Sequence, residues 1–164
     1  MEAYSRVEDN KETVSDQYIK FVTGEQAFGI DVLSSREIVR EEDITSIPES
    51  PDFVKGVIDL REEIVPIVNL EKLFNTKLSS DEKVNEKKII IIKVENTLIG
   101  LEVDRVEEII EIKNDEIKKA PSITKKYNKD YIQGVASHDD ELFIILDVKN
   151  IFSEEEVEKI KNVK

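Results

Sequence analysis

The feature that most constrains this chain is an internal repeat. Shifted by 71 positions, residues 18–39 lie over residues 89–110 without a gap. Ile19, Gly29, Val32, Glu37 and Ile38 meet identical residues at Ile90, Gly100, Val103, Glu108 and Ile109. Phe28 meets Ile99, Ile30 meets Leu101 and Asp31 meets Glu102. A two-residue slip pairs Ile44 with Ile117 and Pro48 with Pro121. Five further inserted residues pair Gly56-Val57 with Gly134-Val135, and IVNLEKLF (67–74) then overlies ILDVKNIF (145–152). Self-similarity at a fixed period means a unit built twice. A chance match between two β-rich stretches is the competing account.

Each half reads as short strands. Residues 18–22 and 27–32 are β-formers around the turn signal Thr23-Gly24-Glu25, the pattern of a hairpin. Residues 53–60 and 64–70 form the densest strand signal, with Arg61-Glu62-Glu63 at the hairpin tip. Pro66 has no N–H to give a ladder, which predicts an edge strand or a bulge there. Residues 70–74 close with a helical turn, and the polar stretch 75–88 reads as a linker. The second half repeats the pattern at 89–94, 98–103, 106–112, 131–136 and 142–148, with a charged loop at 125–129. Val157, Ile160 and Val163 recur at three-residue spacing, the mark of a short amphipathic helix. Ordinary packing and a dedicated interaction role are its two readings.

The expected fold is therefore all-β: the repeat reads as two similar antiparallel barrels, followed by a short C-terminal helix. Closing a sheet on itself removes exposed strand edges. The paired glycines, Gly29/Gly100 and Gly56/Gly134, mark places where a side chain does not fit. Residues 1–16, polar and without periodicity, read as a flexible arm. Residues 17–80 form the first barrel, 81–152 the second and 153–164 the helix, with 17–152 a single domain that allows strand exchange between the barrels. Two isolated halves of about 65 residues would each be marginal, whereas a common core buries about two-thirds of the unfolded surface.

Composition removes several classes of function. The net charge of −13 and a pI near 4.6 oppose nucleic acid, which requires a basic footprint. With no cysteine, disulfides and thiolate chemistry are out. The charged N-terminal residues carry no apolar h-region, and the longest apolar run, 89–92, is far short of a membrane span; the cytoplasm is the expected compartment. The lone histidine, His138, sits in a polar loop. Surface placement is its expected role, because a transition-metal site would call for further imidazoles. No phosphate-binding glycine loop is present, and nothing assembles nucleophile, base and oxyanion site. The expectation is a protein that is no enzyme, with no cofactor and no metal.

The run GVIDLREEIVPIVNL (56–70) resembles the signature of the bacterial chemotaxis coupling proteins, the CheW family, through Gly56, Val57, Leu60, Arg61, Ile64, Pro66 and Leu70. IGLEVDRV (99–106) resembles that family's second signature, and FGIDV (28–32) and GVA (134–136) also match. The resemblance spans about 17–152. It implies two five-stranded SH3-like barrels around a shared hydrophobic core and a non-catalytic adaptor linking the cytoplasmic tips of methyl-accepting chemoreceptors to the regulatory domain of the chemotaxis sensor histidine kinase. Such a protein is cytoplasmic, recruited to membrane-associated receptor arrays, with no nucleic-acid partner and no membrane insertion. A scaffold of another two-component system in the same fold, and a small-ligand-binding β-barrel, are the alternatives.

Carried over residue by residue, the receptor-binding set is Arg61, Glu37, Ile30, Val32, Ser35, Ile38 and Val57; no residue is assigned to the kinase. Arg61 leads, since a guanidinium presents five donors in a fixed fork; a solvated tip arginine paired with Glu62 is the plainer reading. Plain core packing is the plainer reading for Ile30, Val32, Ile38 and Val57. Three positions depart from the family pattern: Glu62 stands where glycine is usual, Asp59 where asparagine is usual, and Ser35 where valine is frequent. A non-glycine at 62 implies a turn without positive φ at that residue.

Overall fold

The computed structural model describes residues 14–40, 43–75, 77, 86–119 and 131–163. The first half runs β1 (Ser15–Thr23), β2 (Gln26–Asp31), a 3₁₀ turn (Val32–Ser34), β3 (Ser35–Arg40), β4 (Val54–Leu60), β5 (Glu63–Asn69) and helix α1 (Leu70–Phe74). The second runs β6 (Lys88–Val94), β7 (Thr97–Val103), β8 (Arg105–Lys113), β9 (Ile132–His138), β10 (Glu141–Leu146) and helix α2 (Glu154–Lys161). β1 starts inside the stretch read as an arm: Ser15 and Asp16 pair with Lys113 and Ile112 of β8. The predicted loop 125–129, and most of the predicted linker, lie outside the described residues.

The strands form two five-stranded sheets, β8-β1-β2-β10-β9 and β3-β6-β7-β5-β4. Replacing each strand by its repeat partner turns one order into the other, so the repeat in sequence is a pseudo-twofold relation in space. Neither sheet is built from one half of the chain. The first takes β1 and β2 from one half and β8, β9 and β10 from the other; the second takes β3–β5 and β6–β7. The two parallel contacts, β10 on β2 and β5 on β7, stitch the halves together. Neither barrel can form from a contiguous half.

Among the described residues, each sheet closes through one isolated bridge. Thr45, downstream of β3, exchanges both backbone hydrogen bonds with Val57 of β4 at 2.9 Å. Lys118, downstream of β8, does the same with Val135 of β9 at 2.9 and 2.8 Å. Here the glycines matter. A Cβ on Gly56 would lie 2.4 Å from the Thr45 carbonyl oxygen, and one on Gly134 would lie 2.6 Å from that of Lys118. Only a residue without Cβ lets the crossing segment come this close.

Two sequence expectations are corrected. Pro66 is not on an edge, since β5 lies between β4 and β7. Its partner Val57 directs both backbone groups away, toward Thr45, and the parallel ladder with β7 starts one residue later at Ile67. The proline thus occupies a position where no donor is required. The β4–β5 turn does use positive φ, 51° at Arg61 and 69° at Glu62. This is the primed hairpin turn favoured by strand twist. Glu62 is held there by its own N–H, which donates to the Asp59 side chain at 2.8 Å. Glu95-Asn96 and Asp139-Asp140 adopt the same left-handed pair.

Three apolar clusters fill the molecule. The largest lies between the sheets and includes Phe21, Phe28, Phe74, Tyr131 and Phe152. Phe74 and Tyr131 stack at 4.6 Å between ring centroids. Val157 and Ile160 of α2 enter this cluster, so the C-terminal helix packs on the shared core; Ser153 and Glu156 cap its start reciprocally, which holds two otherwise orphaned donors. Each barrel has its own smaller interior: Tyr18, Ala136, Phe143 and Ile145 in one, and their counterparts Ile89, Ile58, Val65 and Ile67 in the other. Ala136 with Phe143 occupies the place of Ile58 with Val65, so a small and a large residue replace two of middling size at conserved packing.

Candidate functional site

The sequence-predicted residues fall into two groups. Arg61, at the tip of the β4–β5 hairpin, reaches across to Glu37 of β3, its Nη2 donating to the two carboxylate oxygens at 2.5 and 2.8 Å. The arginine side chain is 71% exposed. The guanidinium holds the Glu37 carboxyl below its usual range, mainly through the hydrogen bond, and Arg61 is raised in turn. The expected partner Glu62 is not the one used. Beneath the pair, Leu60, Ile91 and Leu98 floor a recess of about 270 Å³ at the open end of this barrel. The ion pair therefore spans the barrel mouth, joining the last strand to the first.

Ser35 and Ile38 lie on the same strand as Glu37. The Ser35 hydroxyl donates to the Val32 carbonyl at 2.9 Å, pinning the 3₁₀ turn; Ile38 is exposed. Val32 is half-buried and packs on the shared core. Ile30 and Val57 are buried, one in the core between the sheets and the other beside the closing bridge. The structure thus brings Arg61, Glu37 and Ser35 to the barrel mouth and its adjoining groove, turns Ile38 to the other face of β3, and leaves Ile30 and Val57 inside.

A wider groove of about 660 Å³ adjoins this surface. Its walls come from β3 and β6 of one sheet, with Ser35, Arg36 and Lys93, and from two 3₁₀ turns, with Leu33 of one and Val148 and Lys149 of the other. Leu33 is 89% exposed, the most exposed large apolar residue described. Asp31 accepts from the Leu33 N–H at 2.8 Å and fixes the turn that presents it. Three cations and one carboxylate, Glu95, which Lys161 meets at 3.4 Å, line this groove on a chain of net charge −13, so local and overall charge oppose one another, which favours an occupant with acidic groups.

Sequence reasoning passed over Leu33 and also Lys20. Lys20, on β1, is buried, bonded to Glu141 at 2.5 Å and near Glu107 at 3.5 Å. The hydrogen bond to Glu141 raises its pKa against the opposing effect of burial. A signal was available: 71 residues on, Lys20 overlies Ile91, a core position.

Among the described residues, one group of three or more metal-type ligands occurs, well away from this surface. Shallow grooves, an exposed ion pair and exposed apolar residues on two strand-exchanged barrels define a docking protein. Residues 17–156 match the profile of the CheW-like domain, and the chain belongs to that family. It is 32% identical over 149 residues to the chemotaxis protein CheW of Treponema pallidum, covering 90% of this chain and 88% of that protein. It is 31% identical over 153 residues to that of Klebsiella aerogenes, covering 93% and 90%. The crystal structure of the scaffolding protein TtCheW from Thermoanaerobacter tengcongensis superposes with a TM-score of 0.73 at 31% identity, covering 85% of this chain and 89% of that one. No described helix is long and apolar enough to cross a membrane.

Proposed function

We propose that this chain is a non-catalytic adaptor of the chemotaxis system, coupling the cytoplasmic tips of methyl-accepting chemoreceptors to the sensor histidine kinase. Family membership and the scaffolding name of the solved relative support this reading. The observation that carries it is the surface formed by Arg61, Glu37, Ser35 and the exposed Leu33, where the mouth recess and the wider groove meet at Arg36 and Lys93; Ile38, exposed on the other face of β3, is proposed as a second contact. An amphipathic receptor helix would place an apolar residue on the exposed Leu33 and acidic ones near Arg36, Lys93 and Lys149. Ile30 and Val57 serve this site from below, by packing, and Val32 from its rim. The protein works in the cytoplasm at receptor arrays, by holding two partners in register; it makes and breaks no bond.

The test is co-purification with a receptor cytoplasmic fragment and, separately, with the kinase regulatory domain. Arg61→Ala should weaken receptor capture while the thermal midpoint stays at the wild-type value, because the lost pair is exposed. Equal capture by mutant and wild type would remove Arg61 from the site. A phosphotransfer or hydrolase turnover that survives purification would remove the adaptor reading itself.

A further inference from the structure

The pseudo-twofold relation lets the two barrel mouths be compared residue by residue. At one mouth Arg61 neutralises Glu37. At the other, Glu108 stands in place of Glu37, and Asp139 stands in place of Arg61. Arg36 is replaced by Glu107, while Glu62 and Glu63 become Asp140 and Glu141. The first mouth thus has Arg36, Arg61 and Lys93 against three carboxylates, and the second has Lys20 and Arg105 against five. Two of those five are met by cations: Glu141 by Lys20, and Glu107 by both Lys20 and Arg105. Among the described residues, Glu108 and Asp139 face only His138, which replaces the apolar Leu60.

His138 Nε2 lies 3.8 Å from Glu108 Oε2 and 3.5 Å from Asp139 Oδ2. One ligand atom from each of the three residues falls within 4.8 Å of the others. Zinc binds imidazole nitrogen and carboxylate oxygen at about 2.0–2.2 Å, which puts tetrahedral ligand atoms about 3.3–3.6 Å apart. The histidine edges already have nearly that length. Glu108 is half exposed and has χ freedom to close the third edge. Asp139 is fixed in the left-handed turn, at φ 51°, so its carboxylate is presented beside the ring. One imidazole with two carboxylates and an open fourth position suits a borderline divalent ion better than magnesium, which prefers an octahedral set of oxygens.

We propose that the mouth of the second barrel is a zinc-class divalent metal site, with His138, Glu108 and Asp139 as its protein ligands. The metal takes the place that the Arg61 guanidinium fills at the first mouth. It ties the outer strand β8 to the β9–β10 hairpin, as Arg61 ties the β4–β5 hairpin to β3. At this mouth the metal adds a second, conditional tie beside the one Lys20 already makes between Glu107 of β8 and Glu141 of the hairpin. Counting imidazoles in the sequence concealed this, because two of the three ligands are carboxylates that only the fold brings to the histidine.

The experiment is calorimetric titration of the untagged full chain with zinc chloride in a non-chelating buffer. One saturable equivalent is expected. His138→Gln, Glu108→Gln and Asp139→Asn should each weaken it by at least about tenfold, since even indirect ligand partners are worth 10–100-fold. Arg61→Ala should bind zinc as wild type does. Magnesium in excess should not displace it. The resonance of His138, the only histidine, should shift or broaden on adding zinc. Absence of a saturable equivalent, an unmoved His138 resonance, or variants that bind like wild type would each overturn the proposal. Receptor capture is read separately, so failure here leaves the adaptor reading intact.

Discussion

Gly56→Ala tests the barrel closure most directly. The added Cβ would sit 2.4 Å from the Thr45 carbonyl oxygen, 2.9 Å from its carbonyl carbon and 2.7 Å from Ile44 Cγ2. Two of these neighbours are backbone, so relief requires the crossing segment itself to move. Overpacking of this kind costs about 1–3 kcal/mol. Opening the Thr45–Val57 bridge removes two hydrogen bonds, each worth about 0.5–1.5 kcal/mol net. Against this stands a gain of about 0.5–1 kcal/mol from replacing glycine by alanine in a strand. The net expectation is a loss of about 1–5.5 kcal/mol. Gly134→Ala, 2.6 Å from the Lys118 carbonyl oxygen, should behave alike. Gly29→Ala is the control: its Cβ would meet only side-chain atoms of Phe143 and Ile145, at 3.1–3.2 Å, and the change should stay within about 1 kcal/mol. Urea unfolding gives the ranking, and hydrogen exchange at the Thr45 and Val57 amides reports the bridge itself. If Gly56→Ala unfolds at the wild-type midpoint, or Gly29→Ala costs more, closure by close backbone approach is refuted.

Three further outcomes follow from the same structure. The buried Thr23 hydroxyl has no hydrogen-bond partner among the described residues, and the repeat places Val94 at that position; Thr23→Val should raise stability by about 1 kcal/mol in urea, and no gain would show that the hydroxyl is satisfied. Glu62→Gly should add about 0.5–1 kcal/mol by relieving a left-handed side-chain residue; an unchanged urea midpoint would show that the Asp59 contact already offsets the strain. Lys20 and Tyr18 both hold their protons more tightly folded than unfolded, Lys20 through its hydrogen bond to Glu141 and Tyr18 through burial. Their contribution is full below the ordinary values of 10.5 and 10.0 and is lost as pH rises through the raised folded ones. Urea midpoints should therefore fall on the alkaline side, less steeply in Lys20→Met, and an identical profile for that variant would discount the lysine. Glu37, lowered by Arg61, acts with the opposite sign: its contribution is lost only as pH falls through its depressed value.

The strands, the repeat and the shared core were legible because alternation of apolar residues and the spacing of glycine and proline report local geometry directly. What escaped was non-local. Hairpins join sequence neighbours, so β1–β2 and β4–β5 could be read, whereas the parallel contacts β2–β10 and β5–β7 depend on the assembled pair of sheets. Pro66 was misplaced because a missing donor matters only where a ladder bond is due, and the register that excuses it is set by Thr45. The turn at Glu62 was misread because residue type was weighed without the Asp59 side chain that supports it. At the site, Arg61 and Glu37 were visible as residues, but their pairing required the barrel to close. Leu33 was passed over because nothing local distinguishes an apolar residue that will be exposed from one that will be buried.

The repeat does more than predict the fold, because it separates what the scaffold demands from what each end has been given. Positions alike in both halves, such as Gly56/Gly134 and Glu37/Glu108, are needed to close a barrel or edge its mouth. Positions that break the symmetry without a compensating change in packing, unlike Ala136 with Phe143, are not set by that duty. Arg61 against Asp139, Leu60 against His138 and Ile91 against Lys20 are three such breaks, and all three lie at the barrel mouths. Each mouth still joins its outer strand to its terminal hairpin by charge, but with opposite chemistry: a fixed guanidinium over an apolar floor at one, and a buried lysine under an acidic rim at the other. A purely structural requirement would have kept the two ends alike. Their divergence is what a protein needs if its two ends are to meet different partners while the core between them holds a fixed geometry.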